Sequence, residues 1–562
     1  MISRPLFLLT VLVAFSLPVA SHAAWVDEGF PVASATGQQI YPVIVSDGSG
    51  GAIIAWQDSR GSDFNIYVQR INMEGVAMWL SNGVPMCTAT GDQLAPQIVS
   101  DGAGGAIVVW YDFRNGIDNN IYARRVNNVG ALQWAVDGAA VCSAPDDQTN
   151  ALVTLDGSGG AIIAWDDSRN GLDYNSYVQR INSNGDAIYA ADGVSACLAP
   201  GNQFLTSLVP NGTGAVIAVW YDYRNGFDAD VYAQRINAVG GSTWVADGLA
   251  LCTAIGDQES PCAVSDGSGG VIVAWTDRRG PAYDVYAQHV GAAGTLAWVV
   301  DGLAVCNATG NQTFPGITTD GSDGAIISWQ DARNGAAALD IYAQRMTGAG
   351  AAQWTGNGVA VCSALTNQDH PVLTSDGSGG AIIVWNDARN GNPDIFAQRL
   401  NASGSSQWTS NGEPVVDVSA RQASTALTAV SGGGAIFTWQ DFRSDLKGDV
   451  YAARFTGSGS TPSSVNGATP SLVMLGENYP NPFSGATTFD LTLHQESTVK
   501  AEVFDVAGHR VRTMDMGHRG AGASQLIFDG LGERATPLPS GVYFLRVRAG
   551  SEIVTRKMVI AR

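Results

Sequence analysis

Eight aspartates in this chain keep the same company. Asp58, Asp112, Asp167, Asp222, Asp277, Asp331, Asp387 and Asp441 each follow a Trp by two residues, and the element recurs every 54 to 56 residues. Two positions after each Asp stands an arginine: Arg60, Arg114, Arg169, Arg224, Arg279, Arg333, Arg389 and Arg443. In extended backbone, residues two apart point to the same side, so each carboxylate can pair with its own guanidinium or with one in a neighbouring unit. Catalysis needs one special constellation, whereas this element is present in every unit. The preferred reading is a repeated structural clamp of ion pairs and hydrogen bonds, and the alternative is polyvalent binding by a ring of equivalent loops.

Other chemistry is sparse. The loop from Asp112 to Asn120 is rich in oxygen donors, but it lacks the Asp-x-Asp-x-Asp-Gly spacing and bidentate Glu of a dedicated calcium loop. No cofactor is expected, with calcium left open. His289, His370, His494, His509 and His518 share no register, and zinc spacing is absent. There is no nucleophile elbow and no P-loop. Residues 24–456 hold four glutamates, Glu28, Glu74, Glu259 and Glu413. Glycoside hydrolysis needs two carboxylates about 5–9.5 Å apart, and no local pair stands out, so no catalytic residue is assigned. What breaks the repetition is aromatic. Tyr111, Phe113, Tyr221, Tyr223 and Phe442 flank the shared Asp where other units carry Gln, Ser or Ala. Such rings suit sugar stacking or protein contact, and ordinary packing between units explains them as well.

The elements that must hold these residues read as strands. One unit, residues 93–146, begins with Gln93-x-x-Pro96-x-Ile98-x-Ser100 and turns at Asp101-Gly102-Ala103-Gly104-Gly105. It continues through Ala106–Trp110, a polar loop, Ile121–Val126, a second turn, and Leu132–Cys142. Short β-branched and aromatic runs between Gly, Asn and Asp clusters are strands, and a period in this range marks an array of similar units. Four strands in each of eight units predict an all-β, eight-bladed β-propeller. The ends of the array argue for a closed ring over an open stack. Trp25 to Val32 matches the fourth strand of a unit, and the last unit, ending at Phe455, lacks one. A ring sealed by the N-terminal strand uses both fragments and removes exposed edges. The strand order resembles the blades of TolB-like propellers, on Pro42 with Asp47-Gly48, Pro96 with Asp101-Gly102, and Pro371 with Asp376-Gly377. That resemblance implies a fold and no activity.

Residues 1–23 read as a secretory signal peptide, with Arg4, an apolar run from Leu6 to Val19, and Ser21-His22-Ala23 as cleavage site. No later segment is apolar enough to span a membrane. Residues 24–472 carry 42 acidic and 19 basic side chains, a balance that argues against nucleic acid and anionic membrane as partners. Cys87, Cys142, Cys197, Cys252, Cys306 and Cys362 share one register, which predicts a small buried slot rather than disulfides. Cys262 lies ten residues from Cys252, and that one pairing stays open.

Residues 457–472 read as a flexible linker, and 473–562 as a small Ig-like sandwich. Tyr479-Pro480-Asn481-Pro482-Phe483, Pro539-Ser540-Gly541-Val542-Tyr543-Phe544 and the basic last strand around Lys557 resemble the type A C-terminal sorting domain of the bacterial type IX secretion system. A similar fold occurs in the Ig-like domain of the flagellar hook-assembly protein family. The resemblance implies export across the outer membrane by that machinery, then display or release, with Pro480, Asn481, Pro482, Gly541, Tyr543 and Lys557 as recognition elements. The functional expectation is a non-catalytic propeller that binds extracellular protein or polysaccharide at the cell surface. The alternative is a secreted carbohydrate-active enzyme, a glycoside hydrolase or lyase.

Overall fold

The run Ala106-Ile107-Val108-Val109-Trp110 is fully buried, as a strand covered on both faces must be. Its equivalents form the second strand of every unit. The computed structural model describes residues 25–26, 28–335, 338–444, 447–459 and 473–562, apart from 494–495, 507, 521, 534–535 and 551. The proposed signal peptide and most of the proposed linker lie outside them. The chain divides into two compact units, Ala24–Ser464 and Val465–Arg562 with the first 23 residues.

Among the described residues the first unit holds eight antiparallel sheets, numbered here from the sheet that starts at Gln39. Sheet two is typical: Gln93–Ser100, Ala106–Asp112, Asn120–Val126 and Ala139–Cys142 in spatial order, with a short extra strand at Leu132–Gln133. The first strands touch one another in sequence around the ring, and Gln422–Val430 of sheet eight touches Gln39–Ser46 of sheet one. Sheet eight takes its fourth strand from the N-terminus, where Phe30–Ala33 pairs with Asp449–Phe455 in the register Phe30↔Ala452, Pro31↔Tyr451 and Ala33↔Val450. The result is a closed eight-sheet propeller.

One glycine shows how sequence enforces that closure. Gly138, which leads into the fourth strand of sheet two, has φ +97°, and a Cβ there would sit 2.7 Å from Trp110 Cη2. Gly29 plays the same part against Trp439, with φ +76° and a Cβ position 2.3 Å from Cη2. The N-terminal segment thus carries the same turn, fitted to the same indole. Each apolar core lies between consecutive sheets, and the last joins Trp25, Val32, Ile436 and Val450 to Ile54 and Trp56. A single sheet has no core of its own, so stability is shared around the ring.

The C-terminal unit stands as a sandwich of two sheets. One contains Val473–Tyr479, Thr487–Leu493 and Gly522–Phe528, and the other Ser497–Asp505, Arg510–Arg519, Gly541–Ala549 and Glu552–Ile560. Phe489, Phe528, Val503 and Leu545 are fully buried between them.

Candidate functional site

The repeated element closes within its own sheet. In sheet two the Trp110 indole donates to Asp112 Oδ2 at 2.8 Å, and Arg114 donates from Nε to Oδ1 at 2.7 Å and from Nη2 to Oδ2 at 2.6 Å. The Asp side chain is fully buried, and such forked pairing is the strong form of this contact. Arg114 Nη2 also donates to the Asp137 carbonyl, and its guanidinium lies 3.7 Å from the Tyr122 ring centroid. All eight elements repeat the ion pair. In sheet eight the carbonyl is that of Glu28, so the N-terminal segment is clamped as well. The register cysteines meet the clamp from the preceding sheet, as Cys87 Sγ does 3.4 Å from Arg114 Nη2. They are free thiols, as is Cys262, and burial pushes Cys87, Cys142, Cys197, Cys252 and Cys362 up to about 12. Eight equivalent carboxylates, each with its acceptors filled by the same partners, form a repeated frame.

A second clamp ring at the opposite ends of the strands escaped the sequence reading, because its partners are 23 to 25 residues apart. Arg70 pairs with Asp47, Arg125 with Asp101, Arg180 with Asp156, Arg345 with Asp320 and Arg399 with Asp376. In sheet four Asn211 replaces the acid, and in sheet five His289 replaces the Arg, 2.9 Å from Asp266.

The repetition breaks at the inner corner of sheets three to five. The residue between the repeated Trp and Asp links each sheet to the next in four cases. Gln57 Oε1 accepts from the Ala95 amide, the Tyr111 hydroxyl from Asn150, Asp166 Oδ1 from Leu205, and Gln330 Oε1 from His370. Asp166 Oδ2 also accepts from Asn150 Nδ2 at 2.9 Å. Burial raises the Asp166 carboxyl to about 7, against the hydrogen bonds that favour its charge.

Beside Asp166 opens a recess of about 660 Å³, lined by Asn150, Tyr174, Phe204, Leu205, Tyr221, Ser260, Pro261, Cys262 and Pro315 among others. Its aromatic wall is continuous. Phe204 lies 6.0 Å from Tyr174, 5.2 Å from Tyr221 and 6.4 Å from Tyr223, and Tyr221 meets Tyr223 edge-on at 5.9 Å. Tyr223 is hydrogen-bonded to Glu259, whose carboxyl burial and the neighbouring Asp257 hold above the usual carboxylate range, against the pull of Arg278. Of the residues singled out from sequence, Tyr221 therefore lines the recess, Tyr223 meets Tyr221 and Phe204 edge-on, and Tyr111 supports the site through Asn150. Phe113 and Phe442 lie elsewhere, Phe113 partly exposed in sheet two and Phe442 with Arg421 5.6 Å from its ring in sheet eight. Tyr174, Phe204, Asn150 and Asp166 were missed, because they come from three strands and a loop that only the ring brings together. Glu259 was visible as one of four glutamates. Among the described residues no three His, Cys, Asp or Glu side chains converge as they would on a metal ion.

In the C-terminal unit, Asn481 Oδ1 accepts from the Val559 amide, and Phe483 is buried and pairs with Ile560. The Pro480-Asn481-Pro482 segment is thus pinned to the last strand. Gly541 opens the Gly541–Ala549 strand, buried Tyr543 donates to the Pro539 carbonyl at 3.0 Å, and Lys557 is exposed opposite Phe544.

Residues 479–552 match the FlgD Ig-like domain family. No curated protein matches the sequence significantly. Among solved structures, a polysaccharide lyase is 8% identical, with 77% of this chain and 100% of that chain covered at a TM-score of 0.43. A Penicillium chrysogenum α-L-arabinanase complexed with arabinobiose is 9% identical, covering 76% and 97% at 0.35. PorZ, a surface component of the type IX secretion system of Porphyromonas gingivalis, is 12% identical, covering 91% and 74% at 0.29. At these values the likenesses say nothing about what this chain binds.

Proposed function

We propose that this is an exported bacterial protein whose propeller binds extracellular polysaccharide without cleaving it. The observation that carries the reading is the aromatic wall of Tyr174, Phe204 and Tyr221 around an open recess, in a ring that is otherwise repetitive. Aromatic faces cover the apolar face of a sugar ring, and neighbouring amides, hydroxyls and carboxylates take its hydroxyl groups. Asp166 has both oxygens engaged with Leu205 and Asn150, a placement that suits a structural link better than a proton donor. A glycan array followed by titration of the purified mature chain tests this. Binding with no change in the saccharide supports it, and hydrolysis or elimination overturns it.

The enzymatic alternative draws on one feature, a carboxyl raised to about 7 beside the recess, which is the range a general acid needs. Under that reading Asp166→Asn abolishes turnover of a bound saccharide.

We infer further that residues 473–562 serve as a type IX sorting domain, with the secretion machinery as partner. Support comes from the sequence signature and from its compact placement, with Pro480-Asn481-Pro482 fastened to the strand that bears Lys557. Removing residues 473–562 then leaves the protein in the periplasm, and normal surface display of the truncated chain refutes the assignment.

A further inference from the structure

The first strand of each sheet carries a bulge, two residues after its initial Gln in seven sheets and at Thr206 in sheet four. In seven of the eight sheets, among the described residues, the bulge residue is a non-glycine in the left-handed region: Tyr41, Ala95, Asn150, Ser260, Phe314, His370 and Ser424, at φ 50° to 53°. That conformation is strained for an L-residue, least for Asn. Glycine would relieve it, and the chain has 68 glycines but places none of them there. The backbone device recurs in seven sheets while its side chain changes from one to the next. A device of that kind presents side chains along the inner edge of the ring.

Two of these side chains make a pair. Phe314 of sheet six is 50% exposed, and its ring centroid lies 5.3 Å from that of His370 in sheet seven, itself 61% exposed at the side chain. The imidazole is held in place. The His370 amide donates to Gln330 Oε1, its Nδ1 lies 2.8 Å from Asp369 Oδ1, and that oxygen accepts from Asn386 Nδ2 at 3.0 Å. Nε2 remains as the ring's other hydrogen-bonding atom, beside an open phenyl face. Pro315, the next residue after Phe314, lines the recess that contains Tyr221. The pair thus lies one residue along the chain from the recess lining.

We propose that Phe314 and His370 form a second sugar subsite, so that an extended, uncharged oligosaccharide runs from the Tyr221 recess across Pro315 to this shelf. The proposal rests on the glycan-binding reading and names its ligand class. Stacking on Phe314 and a hydrogen bond to His370 Nε2 serve a sugar ring. The charge of the surroundings sets the class: 42 acidic against 19 basic residues in 24–472 set the field, so a polyanionic glycan is repelled.

The test is titration of the mature chain with neutral gluco-, xylo-, manno- and arabino-oligosaccharides, short (di- and trisaccharides) and long (hexasaccharides and above), with oligouronates as the anionic arm. Affinity is expected to rise about tenfold from short to long neutral chains. In Phe314→Ala it no longer rises with length, Phe314→Trp keeps the rise, and Tyr221→Ala weakens short and long alike. Phe314 is half exposed, and an unfolding curve like that of the wild type checks that its replacement leaves the fold in place. The proposal is overturned if Phe314→Ala keeps the full length dependence, or if oligouronates bind as tightly as neutral chains, while the Tyr221 reading survives both results. If no saccharide of any length binds, the recess reading fails and takes the second subsite with it.

Discussion

Sheets four and eight are built on the same frame and diverge at one corner. Both have the buried Trp, the forked Asp–Arg pair and a carbonyl-capped guanidinium: Trp220, Asp222 and Arg224 in one, Trp439, Asp441 and Arg443 in the other. At the inner corner sheet four sets Phe204, Leu205 and Tyr221, where sheet eight has Ala423, Ser424 and Gln440. The difference separates two duties. Frame residues hold a ring whose sheets cannot stand alone, and they cannot vary without loss. Corner residues vary from sheet to sheet while the Trp–Asp–Arg contacts of the frame stay the same.

The largest expected effect breaks the frame. Asp222→Ala and Asp441→Ala each leave a guanidinium without its buried partner, and each should lower unfolding free energy by about 3–5 kcal/mol, read by urea denaturation with tryptophan fluorescence. Equal losses support equivalence of the two sheets, and a loss confined to one denies it.

A smaller effect separates the first three sheets from the later ones. Opposite the clamp Asp, sheets one to three carry Asn65, Asn120 and Asn175, and sheets four, five and seven carry Asp230, Asp284 and Asp394. Burial pushes these three carboxyls to about 6, helped by neighbouring acids. In the unfolded chain they titrate near 4, so between about pH 4 and 6 the folded state holds more protons. Their contribution to stability is present below that window and is lost as pH rises through it. Changing all three to Asn should flatten this fall and raise stability at pH 7 by about 1 kcal/mol per site after solvent screening. Thermal melts from pH 4 to 8 check it, and an unchanged pH profile would reject the assignment.

The smallest effect lies outside the corner. Phe113→Ala, in a loop of sheet two, should change saccharide affinity not at all and stability by less than about 0.5 kcal/mol. A clear loss of binding would move the site.

Much of the frame was legible because it is local or periodic. Trp, Asp and Arg lie within five residues, and Gly29 next to Phe30 repeats the fourth-strand turn well enough to announce closure. The sequence left open on which side the ion pair closes. The geometry decides it: Arg reaches the carbonyl of its own sheet, and only the cysteine crosses over. The Asp47–Arg70 ring stayed hidden because a full hairpin separates the partners, and because sheets four and five each replace one of them. The recess was half visible. Tyr221 and Tyr223 stood out beside a repeated landmark, whereas Tyr174, Phe204 and Asp166 gain meaning only when three sheets meet. The bulge escaped notice because positive φ at Phe314 or His370 comes from the inner-strand register, not from residue type.

The most direct test of the division between frame and corner is a paired titration at one structural position. Tyr221→Ala and Gln440→Ala, in sheets four and eight, are compared with the wild type against the tightest-binding neutral oligosaccharide. The account predicts at least a tenfold loss for Tyr221→Ala and wild-type affinity for Gln440→Ala. Equal loss in both, or wild-type affinity in both, would contradict it.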